Sequence, residues 1–240
     1  MNPTLDIIFR DTHLIAINKP SGLLVHPSLV DRHEKQSAMT LLRDMIGQYV
    51  YPVHRLDKPT SGVLLFALSS EIARELSLQF NDSQVRKRYL AVVRGYTDES
   101  GRIDYPLREK LDKMTDARAR KDKPAQSAVT DYHRLATLEL PIPVDRYPTS
   151  RYSLVEISPQ TGRKHQIRRH FKHISHPIIG DTSYGKSIHN RLIAEQFNCR
   201  RLLLAATHLT IQHPISGQSL VLEAPIDQTF KKIEALFDPL

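Results

Sequence analysis

Six consecutive apolar residues, Val63 to Leu68, constrain the fold of this chain more than any other feature. A run this apolar is typical of a strand buried in a core, so the polar loop 54–62 that precedes it is held by rigid structure. Catalytic residues tend to lie on such loops. The loop contains one carboxylate, Asp57, which needs no metal to act as a nucleophile or base, and Arg55 can keep it ionised. The alternative is that Asp57 only pairs with Arg55 or caps the turn.

The charge of the chain favours a polyanionic partner. The 240 residues include 34 Lys and Arg against 26 Asp and Glu, a net charge of +8. Residues 151–176 contain six of the basic residues, four histidines and a single acid, Glu156. Nucleic acid is the commonest partner of such a surface, although a basic surface that is only solvated remains possible.

Other features of the composition exclude several classes of protein. The single cysteine, Cys199, cannot form a disulfide within the chain or a multi-cysteine zinc site. The longest apolar run is far shorter than the ~20 residues of a membrane-spanning helix. The first residues lack a basic segment followed by an apolar one, so we expect no signal peptide and a cytoplasmic protein.

Hydrophobic periodicity and turn signals predict an α+β fold built on a large, mostly antiparallel mixed sheet flanked by helices and loops. A hairpin is expected over 5–18, and a helix from Ser37 to Gly47 that buries Leu41, Leu42 and Met45. A second helix begins at Ser69 or Ser70. Further strands are expected at 88–96, 151–158, 202–212 and 220–222, and helices at 163–174, burying Ile167, Phe171 and Ile174, and at 228–237. Residues 108–124 are strongly polar and predict a surface arm.

The helix predicted at 163–174 carries candidate RNA-binding residues. Arg168 lies beside the inward-facing Ile167, where it can reach a carboxylate in a neighbouring loop. Arg163, Lys164 and Arg169 fall on other faces and suit phosphate groups. The alternative is a basic helix that only solvates the surface.

Tyr89 is a candidate for contact with a base. It lies in the predicted strand 88–96, between basic residues, and an aromatic ring in that setting can stack on a displaced base. Half-buried packing is the alternative.

No motif of metal, nucleotide or serine chemistry is present. His165, His170, His173 and His176 are closely spaced, but only His170 and His173 share a helix face, and the His-Glu-x-x-His pattern is absent. The phosphate-binding glycine motifs and the Gly-x-Ser-x-Gly elbow are also missing. A glycosidase usually needs a second carboxylate beside Asp57, and no candidate stands there. We therefore expect no metal and no cofactor.

Three blocks of sequence, in this order, resemble the RluA-type family of pseudouridine synthases. They are Asn18-Lys19-Pro20-Ser21-Gly22-Leu23-Leu24-Val25-His26-Pro27, His54-Arg55-Leu56-Asp57-Lys58-Pro59-Thr60-Ser61-Gly62 and Pro159-Gln160-Thr161-Gly162-Arg163-Lys164-His165-Gln166-Ile167-Arg168-Arg169-His170. The segment from Arg201 to Ala206 and the turn from His213 to Gly217 resemble the closing strand and turn of the family.

The resemblance implies the isomerisation of uridine to pseudouridine in folded RNA, without metal or cofactor. It implies that Asp57 is the catalytic aspartate and that Tyr89 stacks on the uracil. Arg168 would pair with the aspartate, Arg55 would help to displace or replace the flipped base, and Leu204 would line the uracil pocket. The order of bond-making stays open. The family often has Leu-His-Ala where this chain has Leu204-Ala205-Ala206, so no role for that position is inferred from the resemblance, whereas the chemistry is unaffected.

The resemblance further implies one catalytic domain over residues 1–240, with no N-terminal S4-like RNA-binding module. Separately, we expect the protein to act as a monomer. Segments 105–124 and 146–152 resemble a subgroup that modifies the uridine at tRNA position 65, in the T-arm stem. Two alternatives remain: an enzyme of the same family that acts on rRNA, and a non-catalytic RNA-binding protein.

Overall fold

A computed structural model describes residues 4–27, 36–82, 84–109 and 124–239. The strands are β1 (Asp6–Arg10), β2 (Leu14–Lys19), β3 (Tyr51–Pro52), β4 (Ser61–Ala67), β5 (Arg86–Arg94), β6 (Ser100–Asp104), β7 (Val129–Leu140), β8 (Ser150–Pro159), β9 (Leu204–Gln212), β10 (Ser219–Glu223) and β11 (Asp238–Pro239). The helices are α1 (Ala38–Ile46), α2 (Ser70–Asn81), α3 (Gln166–His173), α4 (Ser187–Phe197) and α5 (Gln228–Glu234).

The contacts of the chain divide it into two compact units. The first comprises residues 1–87, 109–124 and 206–225, and the second comprises residues 88–108, 125–205 and 226–240. The single catalytic domain over 1–240 stays a prediction.

The first unit is built on strands that pair antiparallel. β2 pairs with β1 and with β4, β3 pairs with the end of β4, and β10 pairs with β9. Every residue of β4 is buried, as its continuous apolar sequence predicts. The apolar core of the first unit includes Leu14, Leu65, Leu76, Leu209 and Ile211.

The second unit is likewise antiparallel. β8 pairs with β5 and with β7, and β7 also pairs with β6 and β11. One core cluster contains Tyr152, Leu203 and Phe230. A second contains Ile157, Ile167 and Phe171 and holds α3 against the strands. The predicted fold class is confirmed.

Local capping chemistry explains the helix that was predicted best. The Ser37 hydroxyl accepts a hydrogen bond from the Thr40 N–H at the start of α1, and Gly47 ends the helix in the left-handed region, at φ 65°. Leu41 and Leu42 are buried as expected. The prediction for Met45 is wrong: its side chain is 38% exposed, because the buried face of this short helix ends at Leu42.

Other predictions need adjustment at the boundaries. The first hairpin and the helix capped by Ser69 are confirmed. The helix expected at 163–174 begins at Gln166, and Ile174 is only half-buried. β3, β6, β7, β11 and α4 were not predicted. Most of the polar arm expected at 108–124 lies outside the described residues. No helix within the described ranges is long and apolar enough to cross a membrane.

Candidate active site

A buried lysine holds the loop that carries Asp57. Lys19, at the end of β2, is fully buried, and its ammonium donates hydrogen bonds to the carbonyl oxygens of Pro20 at 2.9 Å, Leu23 at 2.8 Å and Lys58 at 3.1 Å. A buried ammonium is stable only when such acceptors replace its water. Because one of the three acceptors belongs to Lys58, Lys19 fixes the backbone beside Asp57.

The turn that follows Lys19 adds further contacts to the same loop. The Ser21 hydroxyl donates to the Pro59 carbonyl at 2.7 Å, and the Gly22 N–H donates to the Lys58 carbonyl at 2.9 Å. Within the loop, the Thr60 N–H donates to the Asp57 carbonyl at 3.0 Å. The first two sequence blocks are therefore parts of one hydrogen-bonded structure.

A hydrogen bond accepted by His54 connects the beginning of the loop to β4. β3 pairs with β4 at Tyr51–Ala67 and Pro52–Phe66. Immediately beyond this pairing, the Leu65 N–H donates to Nε2 of His54 at 3.0 Å, so Nε2 must be unprotonated. The ring also stacks on Phe80, with centroids 4.9 Å apart.

The His54 imidazole is held neutral. Desolvation, with a smaller contribution from the charge of Lys87, lowers the pKa of His54 to about 3. The neutral ring is the form that can accept a hydrogen bond through Nε2. The same environment therefore preserves the contact between the loop and β4.

Gly62 allows two backbones to approach closely where the loop enters β4. Its φ is +112°, a conformation that favours glycine. A Cβ atom at this position would overlap the carbonyl oxygen of Ala206 in β9. The glycine is therefore required both by its conformation and by its neighbour.

Asp57 itself is half-buried, in a loop in which the neighbouring Leu56 and Thr60 are buried and Arg55 is exposed. The pKa of His26 is lowered first by desolvation and then by the charge of Arg55. Arg55 thus projects from a fixed loop at a surface that also contains His26.

The second unit contains Tyr89, Leu204 and the helix of Arg168. Tyr89 lies on β5 opposite Ile157 of β8 and is half-buried. It packs against the apolar cluster that contains Leu204, 3% exposed, and Ile167 of α3. The structure therefore brings together three segments that sequence analysis singled out separately.

Arg168 is buried and forms a bidentate ion pair with Asp181. Its Nε donates to Oδ2 at 2.7 Å and its Nη2 to Oδ1 at 2.9 Å. The guanidinium also lies 5.1 Å from the ring centre of Tyr184. This geometry fixes the guanidinium plane. Sequence analysis missed Asp181 as a partner, and the expected pairing of Arg168 with Asp57 stays a prediction.

The carboxylate of Asp181 also organises its own loop. Its Oδ1 accepts hydrogen bonds from the N–H groups of Ser183 at 2.9 Å and Tyr184 at 3.0 Å. Burial raises the pKa of Asp181, but the hydrogen bonds and charge of Arg168, with these N–H groups, outweigh burial and lower the pKa overall. Asp181 is therefore ionised opposite Arg168.

Gln166 anchors the beginning of α3. Its Nε2 donates to the Val129 carbonyl and to the Thr130 hydroxyl, both at 3.0 Å. Its Oε1 accepts from the Thr161 hydroxyl at 2.7 Å and from the Arg163 N–H at 3.0 Å. This buried amide satisfies donors at a helix end that has no side-chain N-cap. Sequence analysis missed Gln166, because its role depends on contacts with β7 and with the turn before α3.

The basic residues of the third block differ in exposure. Arg163 and Lys164 are exposed, and Arg169 is half-exposed. Arg163 Nε donates to the Ser127 carbonyl at 3.1 Å. Among the described residues, no group of three or more His, Cys, Asp or Glu side chains could hold a metal ion.

Comparison with known proteins decides the family. The sequence profile described as "RNA pseudouridylate synthase" matches residues 13–173, a range that includes Asp57, Tyr89 and Arg168. The chain is 56% identical to "tRNA pseudouridine synthase C" of Pasteurella multocida over 235 residues, covering 98% of this chain and 97% of the relative. This chain belongs to the RNA pseudouridylate synthase family. Members of that family are isomerases.

Further pseudouridylate synthases agree in sequence and fold. A protein of Vibrio cholerae with the same name is 51% identical over 233 residues, covering 97% of this chain and 96% of the relative. The structure titled "Human RNA Pseudouridylate Synthase Domain Containing 1" matches with a TM-score of 0.73 at 25% identity, over 100% of this chain and 92% of that one. "Human RNA Pseudouridylate Synthase Domain Containing 4" gives 0.71 at 28% identity, over 96% and 92%.

Proposed function

We propose that this protein isomerises uridine to pseudouridine in tRNA. The observation that carries the proposal is its 56% identity, over nearly its full length, to a protein named tRNA pseudouridine synthase C. The net charge of +8 suits a polyanionic substrate. The target is the uridine at position 65, in the T-arm stem, and the protein acts as a monomer in the cytoplasm.

The reaction rearranges one nucleotide and needs no other substrate. The N1–C1′ bond breaks, the uracil turns, and a C5–C1′ bond forms. C5 loses its hydrogen as a proton and N1 takes one up, so the atoms balance. We assign Asp57 as the catalytic carboxylate. The hydrogen bonds from Lys19, Ser21 and Gly22 to its loop support this role, because a catalytic group needs a fixed position.

The other candidate residues receive distinct roles. Tyr89 stacks on the uracil, and Leu204 lines its pocket; both belong to one apolar cluster. Arg168 pairs with the catalytic carboxylate, in an orientation held by Asp181. Arg55 takes the place of the displaced base, which suits an exposed arginine on a rigid loop.

The basic residues around the start of α3 bind the RNA backbone. Arg163, Lys164 and Arg169 all retain some exposure, and phosphate contacts need only accessible positive charge. They position the RNA and carry no sequence information of their own.

Tritium release from RNA containing 5-tritiated uridine tests the chemistry, because forming the C5–C1′ bond expels that hydrogen. We expect release from tRNA with the wild type and with Asp82→Asn, an exposed control of the same chemistry at the end of α2. We expect none with Asp57→Asn, while tRNA binding persists. Full activity of Asp57→Asn would overturn the assignment of the catalytic residue.

The choice of RNA and of position is tested separately. A tRNA transcript with cytidine at position 65, its base pair restored, should release no tritium. Tritium release from rRNA and not from tRNA would show that rRNA is the substrate. Release from neither RNA, with salt-dependent RNA binding that is the same in wild type and Asp57→Asn, would indicate a non-catalytic RNA-binding protein.

A further inference from the structure

Two aromatic rings stack at the surface of the second unit. The Tyr105 and His173 ring centres are 3.7 Å apart and their planes differ by 16°. Tyr105 follows β6 and is 42% exposed, and His173 is the exposed last residue of α3. His173 therefore covers one face of the tyrosine ring, and Tyr105 as a whole remains accessible to solvent.

Buried groups fix the backbone of Tyr105. Its N–H donates to the Ala128 carbonyl at 3.2 Å, and its carbonyl lies 3.0 Å from Nε2 of His170. Nδ1 of His170 lies 2.9 Å from the hydroxyl of Thr130, and both of these residues are 0% exposed. Nε2 must carry the proton donated to the carbonyl, so Nδ1 accepts from the hydroxyl. The exposed ring is thus attached to a rigid support.

The charges around the stack favour an anionic partner. Arg169 lies one helical turn before His173 on the same side of α3, and Lys172 is exposed next to it. α3 contains no acidic residue. Asp104 precedes Tyr105 and is the nearest acid in sequence. Cations therefore outnumber acids in these segments.

We propose that the Tyr105–His173 stack is a binding platform on which an unpaired nucleobase of the RNA substrate stacks. The proposal rests on the proposed function and adds a base contact to it. A base stacks on the face of Tyr105 that His173 leaves open, while Arg169 and Lys172 contact the adjoining phosphates. The platform is sequence-tolerant, because every base offers a π-face.

A single-tryptophan reporter tests this contact. The chain contains no tryptophan, so Tyr105→Trp creates the only one. The matched control is Tyr147→Trp, at a tyrosine that is 50% exposed and lies under the Arg146 guanidinium at 5.3 Å. Each variant is titrated with tRNA and with polyphosphate, an anion without bases.

We expect tRNA to quench the emission of Tyr105→Trp at least several-fold more than that of Tyr147→Trp. Polyphosphate should quench neither. Equal quenching of the two variants by tRNA, in samples that bind tRNA by filter retention, would overturn the platform. Tritium release is measured on the same Tyr105→Trp sample. Release together with equal quenching would contradict only the platform, whereas a failure of the proposed function would abolish release by the wild type as well.

Affinity gives a second measurement. Tyr105→Leu should weaken tRNA binding by about 5- to 150-fold, the range typical of one stacked base, and leave polyphosphate binding unchanged. Tyr105→Phe, which keeps the ring, should bind like the wild type. If Tyr105→Leu and the wild type bind tRNA equally, the platform is excluded; an equal loss for both anions would indicate a structural role alone.

Discussion

The Arg168 guanidinium donates two parallel hydrogen bonds to the Asp181 carboxylate, and both side chains are almost completely buried. Asp181 also accepts two backbone hydrogen bonds from its own loop. The orientation of the proposed positioning arginine therefore depends on a loop outside its own helix. If Arg168 has the role proposed for it, Asp181 acts through Arg168 and is itself a positioning residue.

Asp181→Asn should destabilise the fold and reduce activity. The substitution removes the charge opposite a buried guanidinium, and breaking a buried pair from one side typically costs about 3–5 kcal/mol. Urea unfolding measures the loss. Asp44→Asn, which alters the exposed Arg43–Asp44 pair, should cost less than about 1 kcal/mol. Comparable losses in the two variants would show that burial of the Arg168 pair has little energetic effect.

The stabilisation by Asp181 should disappear in acid. Its pKa is lower in the folded state than the ordinary value of 3.8. The contribution is therefore complete above about pH 4 and declines as the pH falls through the folded pKa. The difference in unfolding free energy between wild type and Asp181→Asn should shrink over that range. A difference that grows below pH 4 would contradict the assignment.

His54 should make the protein less stable as the pH falls from about 6.5 towards 3. Over this range the unfolded chain binds a proton at His54 and the folded one, with a pKa of about 3, does not. The free energy of unfolding then falls by up to ~1.4 kcal/mol per pH unit from this group. Urea titrations at pH 7.5 and 5.5 should show a smaller decrease for His54→Gln than for the wild type.

At pH 7.5 the same position tests the hydrogen bond. His54→Leu leaves the Leu65 N–H without its acceptor, which typically costs about 1–3 kcal/mol, whereas glutamine offers a replacement oxygen. His54→Gln should therefore be the more stable variant. The reverse order would show that packing against Phe80, and not the hydrogen bond, decides the choice of residue.

Gly62→Ala should prevent correct folding of the first unit or destabilise it by more than about 3 kcal/mol, because the new methyl group meets backbone that cannot move aside. Gly217→Ala is the control. Gly217 also has a positive φ, +67°, but nothing lies within 4 Å of its added Cβ, so only the backbone strain of about 1–2 kcal/mol remains. Thermal unfolding distinguishes the two. Equal losses of stability in Gly62→Ala and Gly217→Ala would contradict the steric argument.

Lys164→Ala should weaken tRNA binding in a salt-dependent manner. Loss of one phosphate contact lowers the slope of log affinity against log salt concentration by about one. Lys232→Ala, which removes an equal charge from the exposed face of α5, should leave the slope unchanged. Equal slopes for both variants and the wild type would exclude a phosphate contact at Lys164.

Features set by local chemistry were predictable from the sequence. The ends of α1 follow from Ser37 and Gly47, and the burial of β4 follows from its apolar run. α4 escaped prediction because Lys186 provides no side-chain cap and its sequence shows weak periodicity. Such a helix depends on packing by Leu192 and Ile193, which only the tertiary structure reveals.

The supports of the candidate site were less predictable. Lys19 and His54 both lie in the quoted blocks, yet their roles depend on hydrogen bonds to distant backbone groups. Asp181 lies in a loop with no sequence pattern that points to Arg168. Side chains that act through tertiary contacts leave no periodic or local signal in the sequence. The candidate reactive residues were therefore easier to predict than the residues that hold them in position.

The division of the chain into two units also affects how the chain folds while the ribosome is synthesising it. β10 and the part of β9 from Ala206 onwards complete the core of the first unit, but they follow residues 88–205, most of which belong to the second. A ribosome adds ~5–20 residues per second, so the nascent first unit waits roughly 10 s for these strands. During that interval the apolar side chains destined to pack against Leu209 and Ile211 lack their partners. We therefore expect chaperones to bind the nascent chain during this wait.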